Sequence, residues 1–145
     1  AVLGVYWPVR GEFNAIRALE SPSLTKLPLA LPFARREPKA MHYRRWDRQP
    51  PSARDDYGLP TPARSAAVVP DVVLVPCVGY TPAGWRLGYG GGFYDRTIAG
   101  LRKEKAVITI GLAYDEQVVD AVPHLDYDEP LDWVLTPAGA LRCGR

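Results

Sequence analysis

Asp71-Val72-Val73-Leu74-Val75-Pro76 is a short apolar run rich in β-branched residues, and after it the chain reads Arg86-Leu87-Gly88-Tyr89-Gly90-Gly91-Gly92-Phe93-Tyr94-Asp95-Arg96. The first run predicts a buried strand. From Phe93 to Lys103 the spacing predicts a helix with Tyr94, Ile98 and Leu101 on one face. Glycine between them lets the backbone take positive φ and lets a ligand approach the main chain. Strand, glycine loop and helix N-terminus together form an arrangement that receives phosphate on unpaired N–H groups and the positive end of the helix dipole. Arg86 adds a cation before the loop. Asp95 adds a carboxylate in the first helical turn, where it can hold a magnesium ion. The loop lacks the Gly-Lys-Ser/Thr of a P-loop, and neither its spacing nor the following acidic residue suits a dinucleotide fingerprint. A tight turn is the plain alternative.

Working outward, Val107-Ile108-Thr109-Ile110-Gly111 predicts the next strand and completes a βαβ unit. Tyr114 to Gln117 opens a short helix or turn, Asp126, Asp128 and Glu129 form an acidic loop, and Asp132 to Thr136 predicts a last strand stopped by Pro137. Upstream, Val2 to Trp7 predicts a first strand closed by Pro8. Asn14 caps a helix running to about Glu20. Leu29 to Phe33 and Met41 to Trp46 predict two more strands around the polar turn Arg35 to Lys39. Asp47 to Pro70 predicts a long ordered loop, stiffened by Pro50, Pro51, Pro60 and Pro62. Strands alternating with helices argue for a single α/β domain over residues 1–145, with a mostly parallel, Rossmann-like, three-layer sheet flanked by helices. Ligands in such sheets sit at the carboxyl ends of the strands.

The 145 residues suffice for one core, and 47% hydrophobic content is ordinary for a globular chain. No apolar run is long enough to span a bilayer, and no signal peptide is visible. A net charge of +2, from 18 basic and 16 acidic residues, does not point to nucleic acid. Cys77 and Cys143 form no CxxC pair, which favours reduced thiols in a cytoplasmic protein over a zinc or redox site.

Val75-Pro76 followed by Gly84-Trp85-Arg86-Leu87-Gly88-Tyr89-Gly90-Gly91-Gly92-Phe93-Tyr94-Asp95-Arg96 closely resembles the signature of the 5-formyltetrahydrofolate cyclo-ligases, also called methenyltetrahydrofolate synthetases. Tyr57-Gly58-Leu59-Pro60-Thr61-Pro62 resembles the turn that precedes the signature strand in that family. The resemblance runs from Glu12 to Thr136. It implies an ATP- and magnesium-dependent conversion of 5-formyltetrahydrofolate to 5,10-methenyltetrahydrofolate, releasing ADP and phosphate. ATP is then a co-substrate and a reduced folate the other small-molecule partner, with no nucleic acid or membrane partner and a monomer expected. The alternatives are a paralogue that binds nucleotide without this activity and a non-catalytic folate-binding protein. Family members open with a helical segment whose Lys and Arg contact ATP and folate. No counterpart stands in this sequence, so weak ATP binding is expected of the chain as it stands.

Carried over residue by residue, the resemblance makes Arg86 and Tyr94 the candidate catalytic residues. It places ATP on Arg86, Leu87, Gly88, Tyr89, Gly90, Gly91, Gly92, Phe93 and Tyr94. It places the folate on Trp7, Glu12, Tyr89, Gly90, Gly91, Gly92 and Phe93, and magnesium on Asp95 and, by a weaker match, Asp132. Tyr89 and Gly91 stand where some relatives carry Arg and Lys, so Arg86 and Arg96 matter more here. Trp85, Tyr89, Phe93 and Tyr94 can stack on adenine or pterin, or simply pack the core. Arg35, Arg36, Lys39, Arg44, Arg45 and Arg48 read as a solvated face, or as a landing site for the acidic tail of a folate. His42 and His124 stand without a second ligand at metal spacing and are assigned no catalytic role.

Overall fold

The computed structural model describes residues 1–8, 12–36, 40–63, 66–87, 93–123 and 128–143. In chain order its elements are β1 (Leu3–Gly4), α1 (Ala15–Ala18), β2 (Leu29–Arg35), β3 (Ala40–Trp46), β4 (Ala53–Arg54), β5 (Pro60–Thr61), β6 (Ala67–Val68), β7 (Val72–Pro76), β8 (Gly79–Tyr80), β9 (Arg86–Leu87), α2 (Phe93–Arg102), β10 (Ile108–Leu112), β11 (Trp133–Thr136) and β12 (Gly139–Arg142). The main sheet has the order β12-β11-β10-β7-β1-β2-β3-β6. Its centre is parallel: Val72 pairs with Leu3 on one side and with Ile108 on the other. Both margins are antiparallel, through β11–β12 and through β2–β3–β6.

Alternation along β7 divides the core. Val73 and Val75 face α2, where Ile98 and Leu101 pack with Tyr43, Leu131 and Val134. Leu74 faces the other way, toward α1, with Val5, Leu29, Leu31 and Trp46. A strand buried on both faces needs such a continuous apolar run, and the result is the expected three-layer α/β arrangement. The Asn14 side chain caps α1 by accepting from the Arg17 N–H.

Three expectations are corrected and one hairpin is added. Only Leu3 and Gly4 of the expected first strand belong to β1. Between Asp47 and Pro70 lie β4, β5 and β6; Asp55 anchors the first two by accepting from the backbone N–H of Ala34, Tyr57 and Leu59. The hairpin β8–β9 precedes the glycine loop. Pro137 does not end the sheet, because Gly139, at φ +136°, returns the chain as β12.

Two glycines separate strain from crowding. Gly84 has φ +98°, and a Cβ there would lie 2.5 Å from the Leu131 carbonyl oxygen, whereas Gly58 has φ +80° and open space around it. Gly84→Ala should lower the unfolding free energy by about 3 kcal/mol and Gly58→Ala by about 1 kcal/mol. Urea unfolding checks this; equal losses would show that the backbone contact at Gly84 carries no cost.

Candidate active site

The carboxyl end of β7 turns through β8–β9 and delivers Arg86 back against it. The Arg86 Nη1 donates to the Pro76 carbonyl at 3.5 Å. Its guanidinium carbon lies 5.1 Å from the centre of the Tyr94 ring, in the first turn of α2. Its Nε is buried, and among the described residues it has no hydrogen-bond partner. A buried, unpaired donor on a cation is costly in a finished fold and marks a place prepared for an acceptor.

Glu12 lies in the same field. Burial first, then the neighbouring Tyr43, push the Tyr94 phenol well above its ordinary range; Arg86 opposes that shift and Glu12 adds to it. The Cys77 thiol is pushed up to about 12, chiefly by burial, and again Arg86 and Glu12 act on it with opposite signs. Tyr94 is therefore a neutral hydrogen-bonding group at neutral pH. Arg86 thus contacts Tyr94, and Glu12, 74 residues before Arg86 in sequence, lies within electrostatic reach of both Tyr94 and Cys77. Leu87 is exposed at the end of β9, and Phe93 begins α2. The expected binding residues Gly88, Tyr89, Gly90, Gly91 and Gly92 lie outside the described residues, as does His124.

Asp95 and Asp132 each make contacts within the fold. Asp95 Oδ1 accepts from the Glu129 N–H at 3.0 Å, at the start of α2. Asp132 Oδ2 accepts from Arg102 Nη2 at 3.1 Å, from Thr109 N at 2.9 Å and from Thr109 Oγ1 at 3.2 Å. Arg102 closes α2, so the two carboxylates serve turns about 10 Å apart along its axis. The same guanidinium pairs with Glu129 Oε2 at 2.8 Å. Asp132 is thus a tether between α2, β10 and β11 through its Oδ2. Among the described residues no three His, Cys, Asp or Glu side chains gather as a metal centre.

Trp7 packs edge-on against Trp46, with ring centres 6.3 Å apart. A cavity of about 540 Å³ opens beside it, lined by Pro8, Asn14, Ile16, Arg17 and Glu20. Neither Glu12 nor Arg86 lines it, so the Trp7 cavity and the Arg86 cluster are separate parts of the candidate site. Sequence reasoning missed Tyr57 as a site residue. Its ring meets Phe93 edge-on at 5.1 Å and receives the Arg36 guanidinium at 5.3 Å, which sets the 55–61 turn against the start of α2. A tyrosine in a Gly-Pro turn was the only available signal.

Two predictions follow from these contacts. Asp132→Asn should lower the unfolding free energy by about 1–3 kcal/mol and leave nucleotide affinity of the folded protein unchanged; titration of magnesium-ATP checks this, and lost affinity at unchanged stability would return Asp132 to the metal. Cys77 should resist a thiol reagent in the native protein at mildly alkaline pH while half-exposed Cys143 is modified. Mass spectrometry should find one adduct before unfolding and two after, and a labelled native Cys77 would contradict its burial.

Comparison with known proteins gives one answer. Residues 1–137 match the model of the 5-formyltetrahydrofolate cyclo-ligase family. The 5-formyltetrahydrofolate cyclo-ligase of Escherichia coli K12 is 43% identical over 68 residues, which are 47% of this chain and 37% of that one. The chain thus spans little more than a third of that relative's length. The Haemophilus influenzae enzyme of the same name is 31% identical over 141 residues, covering 92% of this chain and 74% of that one. The solution structure of the Aquifex aeolicus 5,10-methenyltetrahydrofolate synthetase is similar with a TM-score of 0.74 and 29% identity, over 99% of this chain and 73% of that one. On this match and on a signature placed at the carboxyl end of β7, the chain belongs to the 5-formyltetrahydrofolate cyclo-ligase family.

Proposed function

We propose that the protein is an ATP-dependent 5-formyltetrahydrofolate cyclo-ligase. The observation that carries the reading is Arg86, whose buried Nε is unsatisfied directly before the glycine loop of a chain that belongs to this family. A formamide oxygen is a poor leaving group. Transfer of the ATP γ-phosphoryl group to it makes it a good one. The folate's own N10 then attacks the activated carbon, closes the five-membered ring and expels phosphate. The protein need only align two substrates and stabilise phosphoryl charge.

Arg86 supplies a fixed cation for that charge, and the loop before α2 supplies backbone donors. Neutral Tyr94 holds Arg86 over its ring and can donate from its phenol. Glu12 accepts from the amine and amide N–H groups of the pterin, with Trp7 as an apolar wall. Magnesium accompanies the nucleotide in this reading. Asp95 suits it as one carboxylate, Asp132 does not, and no step is routed through the ion. The setting is the cytoplasm, with a monomer as the acting unit; among the described residues no helix is long and apolar enough to cross a membrane.

The test is to incubate the protein with 5-formyltetrahydrofolate, magnesium and ATP and to follow the near-ultraviolet absorbance of methenyltetrahydrofolate. An ATP-dependent rise is expected, and Arg86→Ala should reduce its rate by about 10²-fold or more with the fold intact. Binding of ATP with no conversion would favour a paralogue that lacks the reaction. Binding of folate indifferent to ATP would favour a non-catalytic folate-binding protein.

A further inference from the structure

Tyr6 is buried, yet it ends in a hydroxyl. A phenol at that depth costs free energy unless the hydroxyl is paired. It donates to the Phe13 carbonyl at 2.7 Å. The same carbonyl accepts from the Ala15 N–H at 3.0 Å, so both of its lone pairs are in use at the start of α1. Phenylalanine would fill almost the same space as Tyr6. What the hydroxyl adds is a bond from the chain after β1 to the residue that follows Glu12.

A second contact holds Phe13 from the other side. Its ring meets that of Tyr114, which follows β10, with ring centres 5.9 Å apart. Tyr114 is itself fixed. Its N–H donates to Gln117 Oε1 at 2.7 Å, and Gln117 Nε2 donates to the carbonyls of Cys77 and Val78 at 3.0 and 3.2 Å. Cys77 and Val78 join β7 to the β8–β9 hairpin that delivers Arg86. Tyr114 is therefore tied to the chain that carries Arg86, while its ring holds the neighbour of Glu12. Burial is the main cause of the raised Tyr94 phenol, and Tyr6 adds to it, which puts Tyr6 in the same field as Arg86 and Glu12.

These contacts do little for the core. Phe13 is half-buried and Tyr114 exposed. Their effect falls on the next residue, whose Cα is about 3.8 Å along the chain. A carboxylate that receives two N–H groups from one edge of a ring tolerates little displacement, because hydrogen bonds weaken steeply with distance and angle. We propose that Tyr6 and Tyr114 are positioning residues, which hold Phe13 and so set the place of Glu12 relative to Arg86 for the pterin. The inference rests on the folate reading above and adds to it the two side chains that align its carboxylate.

The test measures equilibrium binding of 5-formyltetrahydrofolate and, separately, of magnesium-ATP to the full chain. The variants are Tyr6→Phe, Tyr114→Leu, Glu12→Gln, and each tyrosine change combined with Glu12→Gln. Tyr6→Phe should weaken folate binding about tenfold and Tyr114→Leu about threefold, with ATP affinity unchanged. In the Glu12→Gln background both losses should disappear, because the carboxylate they place is gone. Tyr114 is exposed, so its variant folds even if the Tyr6 variant is disturbed. Equal weakening of both ligands, losses that persist in the Glu12→Gln background, or a folate affinity that neither tyrosine changes, overturns the proposal and leaves the folate reading standing. A wild-type chain that binds no folate overturns that reading and the proposal with it.

Discussion

Two parallel ladders meeting on β7 are the constraint from which the rest follows. With Val72 held between Leu3 and Ile108, the chains that leave β1, β7 and β10 all emerge at one edge of the sheet. Glu12 and Arg86 then act on the same two groups, Cys77 and Tyr94, although they stand far apart in sequence. A slip of one residue in either ladder would exchange the two faces of β7 and put Leu74 where Val73 and Val75 meet α2. Burial on both faces makes such a slip expensive. The site inherits its place in the fold from that apolar strip.

The arginines divide into those that join parts of the fold and those held on aromatic rings. Arg48 gathers three carbonyls from the chain after α1, contacts that offset its left-handed backbone. Arg102 joins Glu129 and Asp132 and so fixes the far end of α2. Arg86, Arg35 and Arg44 are anchored through rings and carbonyls but meet no carboxylate among the described residues. Charge count alone cannot separate these classes, since all five are the same side chain in a nearly neutral protein.

Local pattern carried much of the architecture in the sequence. The run 72–76 and the helix from Phe93 are legible because apolar spacing and burial coincide there. The signature was legible too, since its glycines, Arg86 and Asp95 are contiguous. What escaped was set by distant partners. The short strands β4, β5 and β6 have no periodicity of their own, and Asp55 and neighbouring ladders create them. The tether made by Asp132 was hidden as well, because its partners Arg102 and Thr109 stand 30 and 23 residues away in sequence.

The far-end tether is one of three contacts that fix the helix following the signature. Leu87 ends a hairpin fixed by the Thr81 and Trp85 backbone pair, and Phe93 begins a helix. That helix is held at its first turn by the Asp95–Glu129 bond, at its middle by the Thr97 Oγ1 accepting from the Met41 N–H, and at its last residue by Arg102. The five residues between Leu87 and Phe93 therefore connect two fixed points, one of which presents Arg86. The three anchors on α2 come from β3 and from the chain leading into β11, and together they fix where the helix begins and so where Tyr94 meets Arg86.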